Sequence, residues 1–311
     1  MTGRWAVIGA GIAGLAAARR LVGAGCDVSV FDKSRGVGGR MATRRAEGLQ
    51  FDHGAQFFTA RGDGFVREVE ALVADGGAAA WGEVGYVGTP GMSAVGRAFS
   101  RGLSLVPSRT VTRLDRAADG WRLATAEGDG TMTEAFDGVV VAVPAPQAKP
   151  LLASAGIDWS GISRARYAPC WAMMLAFAGI ENPIGLSLKP TDEAIGWIAT
   201  DSSKPGRAGG ATTYVVHATP AWSRQHLERT PEEAAAMLLA RFQVLTGLQA
   251  APSYLAAHRW RFALVEQTAG APFLYDEARA IGACGDWCLG ARVEAAFDSG
   301  DGLGAAIAGR A

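Results

Sequence analysis

Lysine is scarce in this chain. It occurs four times in 311 residues, as Lys33, Lys149, Lys189 and Lys204, against 26 arginines. With abundant alanine and glycine, this reads as the bias of a GC-rich bacterial genome rather than a functional signal. Cysteine is equally sparse: Cys26, Cys170, Cys284 and Cys288. Three residues separate Cys284 from Cys288 and no further Cys or His clusters beside them, so no metal site is expected, only reduced buried thiols. No apolar run is long enough to span a membrane. The first strand begins within a few residues of Met1, so no secretory leader is expected either, and the expected location is the cytoplasm. Net charge is absent too. Thirty basic and thirty acidic side chains cancel, which argues against a polyanionic partner such as nucleic acid. There is no internal repeat and no low-complexity tract. Present instead are 49% hydrophobic and 19% charged residues, suited to a well-filled core, and enough length for two domains.

The most informative stretch is Val7 to Asp32. An apolar run, Trp5-Ala-Val-Ile8, leads into Gly9-Ala10-Gly11-Ile12-Ala13-Gly14, then a helical stretch, then Val28-Ser-Val-Phe31 and Asp32. This spacing predicts strand, glycine turn, helix, and a second strand with an acid at its tip. Gly9 permits the turn, Gly11 lets backbone approach a pyrophosphate, and Gly14 lets helix and strand pack closely. The phosphate then meets the helix N-terminus, and Asp32 is placed for a ribose diol. Dinucleotide binding follows, with NAD, NADP and FAD all open at this point.

Periodicity predicts a first helix over Ile12 to Val22 and surface helices near 63–75 and 92–100. Strands are expected at 103–106, 111–114 and 121–123, with turns at Asp119-Gly120 and Gly128-Asp129-Gly130. Val139 to Val143 reads as a buried central parallel strand. Beyond it, Met173 to Phe177, Ile195 to Ala199 and Thr212 to His217 read as strands. Thr230-Pro-Glu-Glu233 starts a helix running to Leu245. Ala280 to Cys284 is a returning strand, and a last helix is expected from about Val293 to Ala308 despite Gly300, Gly302 and Gly304. The expected fold is α/β: a discontinuous Rossmann-type domain from 1–80, 101–148 and 275–311, and a substrate domain, α+β on a mostly antiparallel sheet, from 81–100 and 149–274.

The glycine-rich loop Ser34-Arg-Gly-Val-Gly-Gly39-Arg40 decides among cofactors. It brings more backbone to the nucleotide, and Arg40 offers a positive charge to the pyrophosphate. Gly285-Asp286 supplies a group for the ribityl or pyrophosphate region, and the helix from Val293 aims N–H groups at the flavin N1/C2=O edge. Together these favour FAD over a nicotinamide dinucleotide.

Phe31-Asp-Lys-Ser-Arg-Gly-Val-Gly-Gly-Arg-Met41 resembles the signature of flavin amine oxidases and their relatives. Asp52-His-Gly-Ala-Gln-Phe-Phe-Thr-Ala-Arg61 is similar to the renalase branch, as are His217 to His226, Ala257 to Phe262 and Cys284 to Ala296, and the likeness spans nearly the whole chain. The resemblance implies a p-hydroxybenzoate-hydroxylase-like fold with non-covalent FAD. It also implies oxidation of the 2- and 6-dihydro isomers of NAD(P)H by hydride transfer to flavin N5, with O2 as acceptor, giving NAD(P)+ and H2O2. The cofactor residues assigned by position and resemblance are Gly9, Gly11, Ile12, Ala13, Gly14, Asp32, Lys33, Gly39, Arg40, Met41, Ala55, Gln56, Val111, Gly285, Asp286, Val293, Glu294 and Ala295. Two departures touch the substrate side: the Trp81 to Pro90 interval is short, and Phe57 stands where a Tyr is common.

Hydride transfer asks for orientation and dryness more than for acid–base groups. Phe57, Phe58, Trp222, Trp260 and Trp287 are the candidate apolar walls, and Thr59, Arg61, His217 and His258 the candidate polar contacts. No catalytic side chain is assigned, since the flavin carries the chemistry. The alternative is an amine oxidase or a desaturase, for which Lys189 and Lys204 are the candidate lysines near N5. A flavin hydroxylase fits less well, because Asp119-Gly120 reads as a hairpin turn. FAD as a purely structural or sensory ligand comes last.

Overall fold

The computed structural model describes residues 3–127, 132–207 and 209–309. A six-stranded sheet runs in the order Leu274–Asp276, Ile281–Ala283, Gly138–Val141, Arg4–Ile8, Asp27–Phe31 and Ser104–Val106. Every neighbouring pair is parallel except the first, which is antiparallel. N-terminal, central and C-terminal segments thus build one sheet, as a discontinuous domain requires. Gly138–Val141 is apolar at every position because both faces are covered. Val140 faces one core with Trp5 and Val7; Val139 and Val141 face another with Ala6 and Ile8.

The first core lies under two helices, Ile12–Gly23 and Val293–Ala308. The glycines that weaken the second as an isolated helix are what let the pair touch. A Cβ on Gly300 would stand 1.9 Å from the Ala13 carbonyl oxygen, and one on Gly304 would stand 2.6 Å from the Arg20 Cβ. Segment 81–100, expected in the substrate domain, contributes Trp81, Val87, Met92, Val95 and Phe99 to this same core. Its short Trp81 to Pro90 interval closes as a hairpin between Ala78–Trp81 and Gly85–Gly88. Similarly, Ile157, Ile162 and Ala165 pack in the second core. Of these elements the sequence pattern placed only the helix near 92–100, and it carried no information on which core any of them joins.

The hairpin Val111–Ala117 and Gly120–Thr125 turns where Asp119-Gly120 predicted. The expected Gly128–Gly130 turn falls outside the described residues, which resume at Met132.

The second sheet is wholly antiparallel, in the order Ser187–Leu188, Ile195–Thr200, Ala211–Ala218, Arg166–Ala178 and Tyr254–Gln267. Helix Pro231–Thr246 begins with a capping box between Thr230 and Glu233. It packs Leu238 and Phe242 against Phe177 and Tyr214 on one face of this sheet. Among the described residues, all four cysteines are free and buried, no acid, His and Cys group could hold a metal, and no helix is long and apolar enough to cross a membrane.

Candidate functional site

The two glycine loops form one cradle. Gly9 turns the chain at φ +108°, and a Cβ on Gly14 would lie 1.9 Å from the Gly9 carbonyl oxygen, so neither position tolerates a side chain. Gly11 is different. Nothing lies within 4 Å of where its Cβ would be, which leaves open space against bare backbone. Asp32 ties the loops together: one carboxylate oxygen accepts the Ala10 N–H and the other the Ser34 N–H, both at 2.7 Å. The Gly38 N–H donates to the Ala10 carbonyl at 2.8 Å, and Gly39, at φ +55°, lies against Gly11. Ala10, Val30, Asp32, Ser34, Gly36 and Pro107 line the cleft beside this turn. Lys33 is exposed next to it, Ile12 and Ala13 open the buried helix, and Val111 begins its strand at the edge of the second core.

Arg40 leaves the second loop and grips Asp286 with two parallel bonds of 2.7 Å, while also donating to the Ala263 carbonyl at 3.0 Å. Tyr167 donates to the same carboxylate at 3.3 Å. Burial and that carboxylate both push the Tyr167 hydroxyl pKa up, so it stays a donor. The Ala55 N–H donates to the Arg40 carbonyl at 2.8 Å, and Met41 is buried below. Gly285 lies flat against the Trp287 indole, where a Cβ would come within 2.5 Å. Helix Val293–Ala308 starts at Arg292 with no side-chain cap, so the first N–H groups, on Val293, Glu294 and Ala295, point out of the helix end. The Glu294 carboxylate turns away to accept the Arg61 and Gly62 N–H groups at 2.8 and 2.7 Å. Its anchoring of that loop was not legible in the sequence.

The second sheet presents a different surface. Its register places Trp197, His217, Ala172 and His258 in one cross-strand row, with Trp260 beside it opposite Cys170. This face meets the loop carrying His53, Gln56 and Phe57. His53 stacks on Trp260 with centroids 5.3 Å apart and meets His258 edge-on at 4.9 Å. The Trp260 indole donates to the His53 carbonyl at 2.9 Å. Phe57 packs against Trp197 at 5.5 Å, and Gln56 Nε2 lies 3.1 Å from His217 Nε2. Burial holds His53 and His217 neutral, both down to about 4, and with Arg44 lowers His258 as well. The result is an aromatic and imidazole wall with one small residue, Ala172, between two histidines.

Several expected wall residues sit elsewhere. Phe58 is buried in the first core against Phe65 and Tyr86. Trp222 packs on the opposite face of the sheet, the face shown by Trp171, because strand alternation turns Trp171 away from Ala172. Trp287 is fully buried in the second core, donating to the Val143 carbonyl at 3.2 Å. Thr59 is half-buried and the Arg61 side chain is exposed. His53 and Trp197, absent from the sequence expectations, take places in the wall. Only register and packing could have found Trp197; His53 stood inside the motif that named its neighbours.

Beyond the facing loop is a buried ionic cluster. Lys204 donates to Asp201 at 2.6 Å, to Gln56 Oε1 at 3.3 Å and to Asp52 at 3.4 Å, with all three charged side chains inaccessible. Arg207 also binds Asp52, which accepts the Met92 N–H at 2.9 Å and the Thr43 hydroxyl at 2.7 Å. Burial opposes ionisation of Asp52, but Lys204 and Arg207 outweigh it and hold the carboxyl below its ordinary range. Lys189 is exposed.

Residues 7–74 match the NAD(P)-binding Rossmann-like domain, and residues 76–301 match the family described as flavin containing amine oxidoreductase. A 4,4'-diapophytoene desaturase of Staphylococcus aureus is 51% identical over 49 residues, which cover 16% of this chain and only 10% of the desaturase. Among solved structures, "Putative protoporphyrinogen oxidase" from Exiguobacterium sp. 255-15 superposes with a TM-score of 0.79 at 13% identity, covering 100% of both chains. Cyclohexylamine oxidase from Brevibacterium oxydans IH-35A gives 0.72 at 15% identity, over 100% of this chain and 99% of that one.

Proposed function

The chain belongs to the flavin containing amine oxidoreductase family and takes FAD as cofactor, and on that premise we propose that it is an oxidase of renalase type. Its substrates in this reading are the 2- and 6-dihydro isomers of NAD(P)H, oxidised to NAD(P)+ with O2 as final acceptor and H2O2 as product. The residues present fit FAD. The open face of Gly11 admits a pyrophosphate against backbone, and Asp32 suits a ribose. Arg40, its charge balanced by Asp286, offers a positioned guanidinium donor rather than net charge, and the uncapped helix end at Val293 adds N–H dipoles. When bound, FAD supplies the hydride acceptor at flavin N5.

The observation that carries the reading is the wall formed by Trp197, His217, His258, Trp260 and His53. It is aromatic, and its imidazoles are held neutral by burial. Such a surface can hold a planar dihydronicotinamide ring and exclude water. None of the wall's own five side chains carries a fixed charge against the positive charge that grows on that ring as hydride leaves. Arg44, exposed at the edge and near enough to depress His53 and His258, suits a substrate phosphate. Amine oxidases commonly place a lysine near flavin N5; here Lys204 is engaged by two carboxylates and Gln56, and Lys189 is exposed.

Anaerobic titration tests this. The yellow holoenzyme should bleach rapidly with 2- or 6-dihydro-NAD(P). No reduction by either isomer would sink the proposal, and reduction by simple amines instead would favour the alternative.

A further inference from the structure

We propose that Lys204 is a positioning residue that acts through Gln56 to hold His217 neutral with its proton on Nδ1. The amide of Gln56 can take only one orientation. Its oxygen accepts from Lys204 Nζ at 3.3 Å, while one hydrogen of its nitrogen goes to the Asp52 carbonyl, with the Gly54 carbonyl a more distant neighbour of that nitrogen at 3.4 Å. The remaining hydrogen of that NH2 group is directed at His217 Nε2, 3.1 Å away. A donor aimed at Nε2 requires a lone pair there, so the proton belongs on Nδ1. Lys204 cannot turn away, because Asp201 and Asp52 fix its ammonium in a site that is wholly buried.

The charged and titratable groups around His217 agree. Its own strand and those on either side bring Trp197 and, across Ala172, His258, which is itself held neutral. The facing loop brings Gln56 and His53; the His53 backbone favours the charged form, but burial and the Lys204 cation oppose it. Asp52 and Asp201 lie beyond Lys204: Lys204 and Arg207 hold Asp52 ionised, while burial and the neighbouring Asp52 push the Asp201 carboxyl up against the pull of Lys204. Lys204 thereby keeps a second positive charge from appearing on the wall where hydride loss leaves a substrate cationic. The inference rests on the wall facing the flavin, as in the proposed function, but not on which reductant is used.

The test uses the holoenzyme and three variants. Lys204→Met removes the cation; Lys204→Met/Asp201→Asn removes it while keeping the cluster's charge balanced, so that folding is preserved; Gln56→Leu removes the relay alone. Nitrogen-15 NMR of the histidine rings reports tautomer and pKa directly. Wild-type His217 should show the Nδ1–H form across pH 5–8. In the Lys204 variants its pKa should rise by about one pH unit or more. The acid limb of flavin reduction, followed by stopped flow with any reductant that bleaches the enzyme or with dithionite potentials as control, should shift with it. Gln56→Leu should mix the tautomers. An Nε2–H wild-type ring, or an unmoved His217 pKa in both Lys204 variants, overturns the inference. Either result is independent of whether dihydronicotinamides or amines reduce the flavin.

Discussion

Arg40 and Asp286 stand 246 residues apart in sequence and meet in a two-pronged ion pair, both bonds 2.7 Å long. The pair joins the second glycine loop to the start of the C-terminal segment, and the Arg40 contact to Ala263 brings in the long strand of the other sheet. It therefore closes three parts of the chain around the nucleotide cradle.

Arg40→Ala should weaken FAD binding by about 1–3 kcal/mol, the loss of a charge-assisted contact. It should also lower the melting temperature of the cofactor-free protein, because Asp286, whose side chain is only 7% exposed, loses its counter-charge. Arg40→Ala/Asp286→Asn separates the two effects. The double variant should recover apoprotein stability without recovering FAD affinity, as measured by melting and by flavin fluorescence quenching. Unchanged affinity in Arg40→Ala would contradict the pyrophosphate role.

Gly300 and Gly302 lie two residues apart on one helix but answer to different surroundings. Gly300 faces the Ala13 carbonyl with no room for a methyl, whereas the nearest atom to a Cβ on Gly302 is a Phe273 ring carbon at 3.4 Å. Gly300→Ala should cost about 1–3 kcal/mol in urea unfolding, the usual range for overpacking. Gly302→Ala should be neutral or stabilising by up to about 1 kcal/mol through helix propensity. Equal effects at the two sites would refute the close crossing of these helices.

Much of this architecture was legible. The parallel sheet, its discontinuity and the last helix all follow from apolar runs, turn residues and the glycine spacing. Ile12, Gly14 and Asp32 could be placed because their neighbours in sequence are also their neighbours in space. The wall was legible only in fragments. Phe58 and Phe57 are adjacent and equally aromatic, yet one turns into the core and the other toward Trp197, a choice made by pairing of Phe58 with Tyr86. The strand Tyr254–Gln267 alternates His258 and Trp260 with Arg259 and Arg261, a period-two signal that the resemblance to a family motif obscured. Lys204 reached Asp52 and Gln56 across some 150 residues, a distance that no local pattern spans.

Of the three depressed histidines, the two most buried make stability depend on pH in a defined direction. His53 and His217 fall from 6.5 to about 4 on folding, chiefly through burial. Below pH 6.5 the unfolded chain takes up protons that the folded protein refuses, so their contribution is complete above that pH and is lost progressively as pH falls toward 4. The melting temperature should decline between pH 6.5 and 4. Replacing both residues, as His53→Asn/His217→Asn, should flatten that part of the profile relative to the parent. Superimposable slopes would show that neither histidine is buried neutral.

Ala172 gives the most direct test of the wall. It is fully buried in the central strand of the second sheet, with His217 on one neighbouring strand and His258 on the other. Any side chain longer than a methyl must project from the sheet between those two rings, toward the loop that carries Gln56. The glycine cradle, Asp32 and the Arg40–Asp286 pair are all on other elements. Ala172→Leu should therefore retain bound FAD, at a stability cost of about 1–3 kcal/mol from overpacking. Flavin reduction by substrate should nevertheless fall by about tenfold or more, since displacing a reacting carbon by even an ångström costs on that order. Anaerobic stopped-flow reduction of the yellow variant measures this. A variant that keeps its flavin and is reduced at the parental rate would remove this face of the sheet from the substrate site.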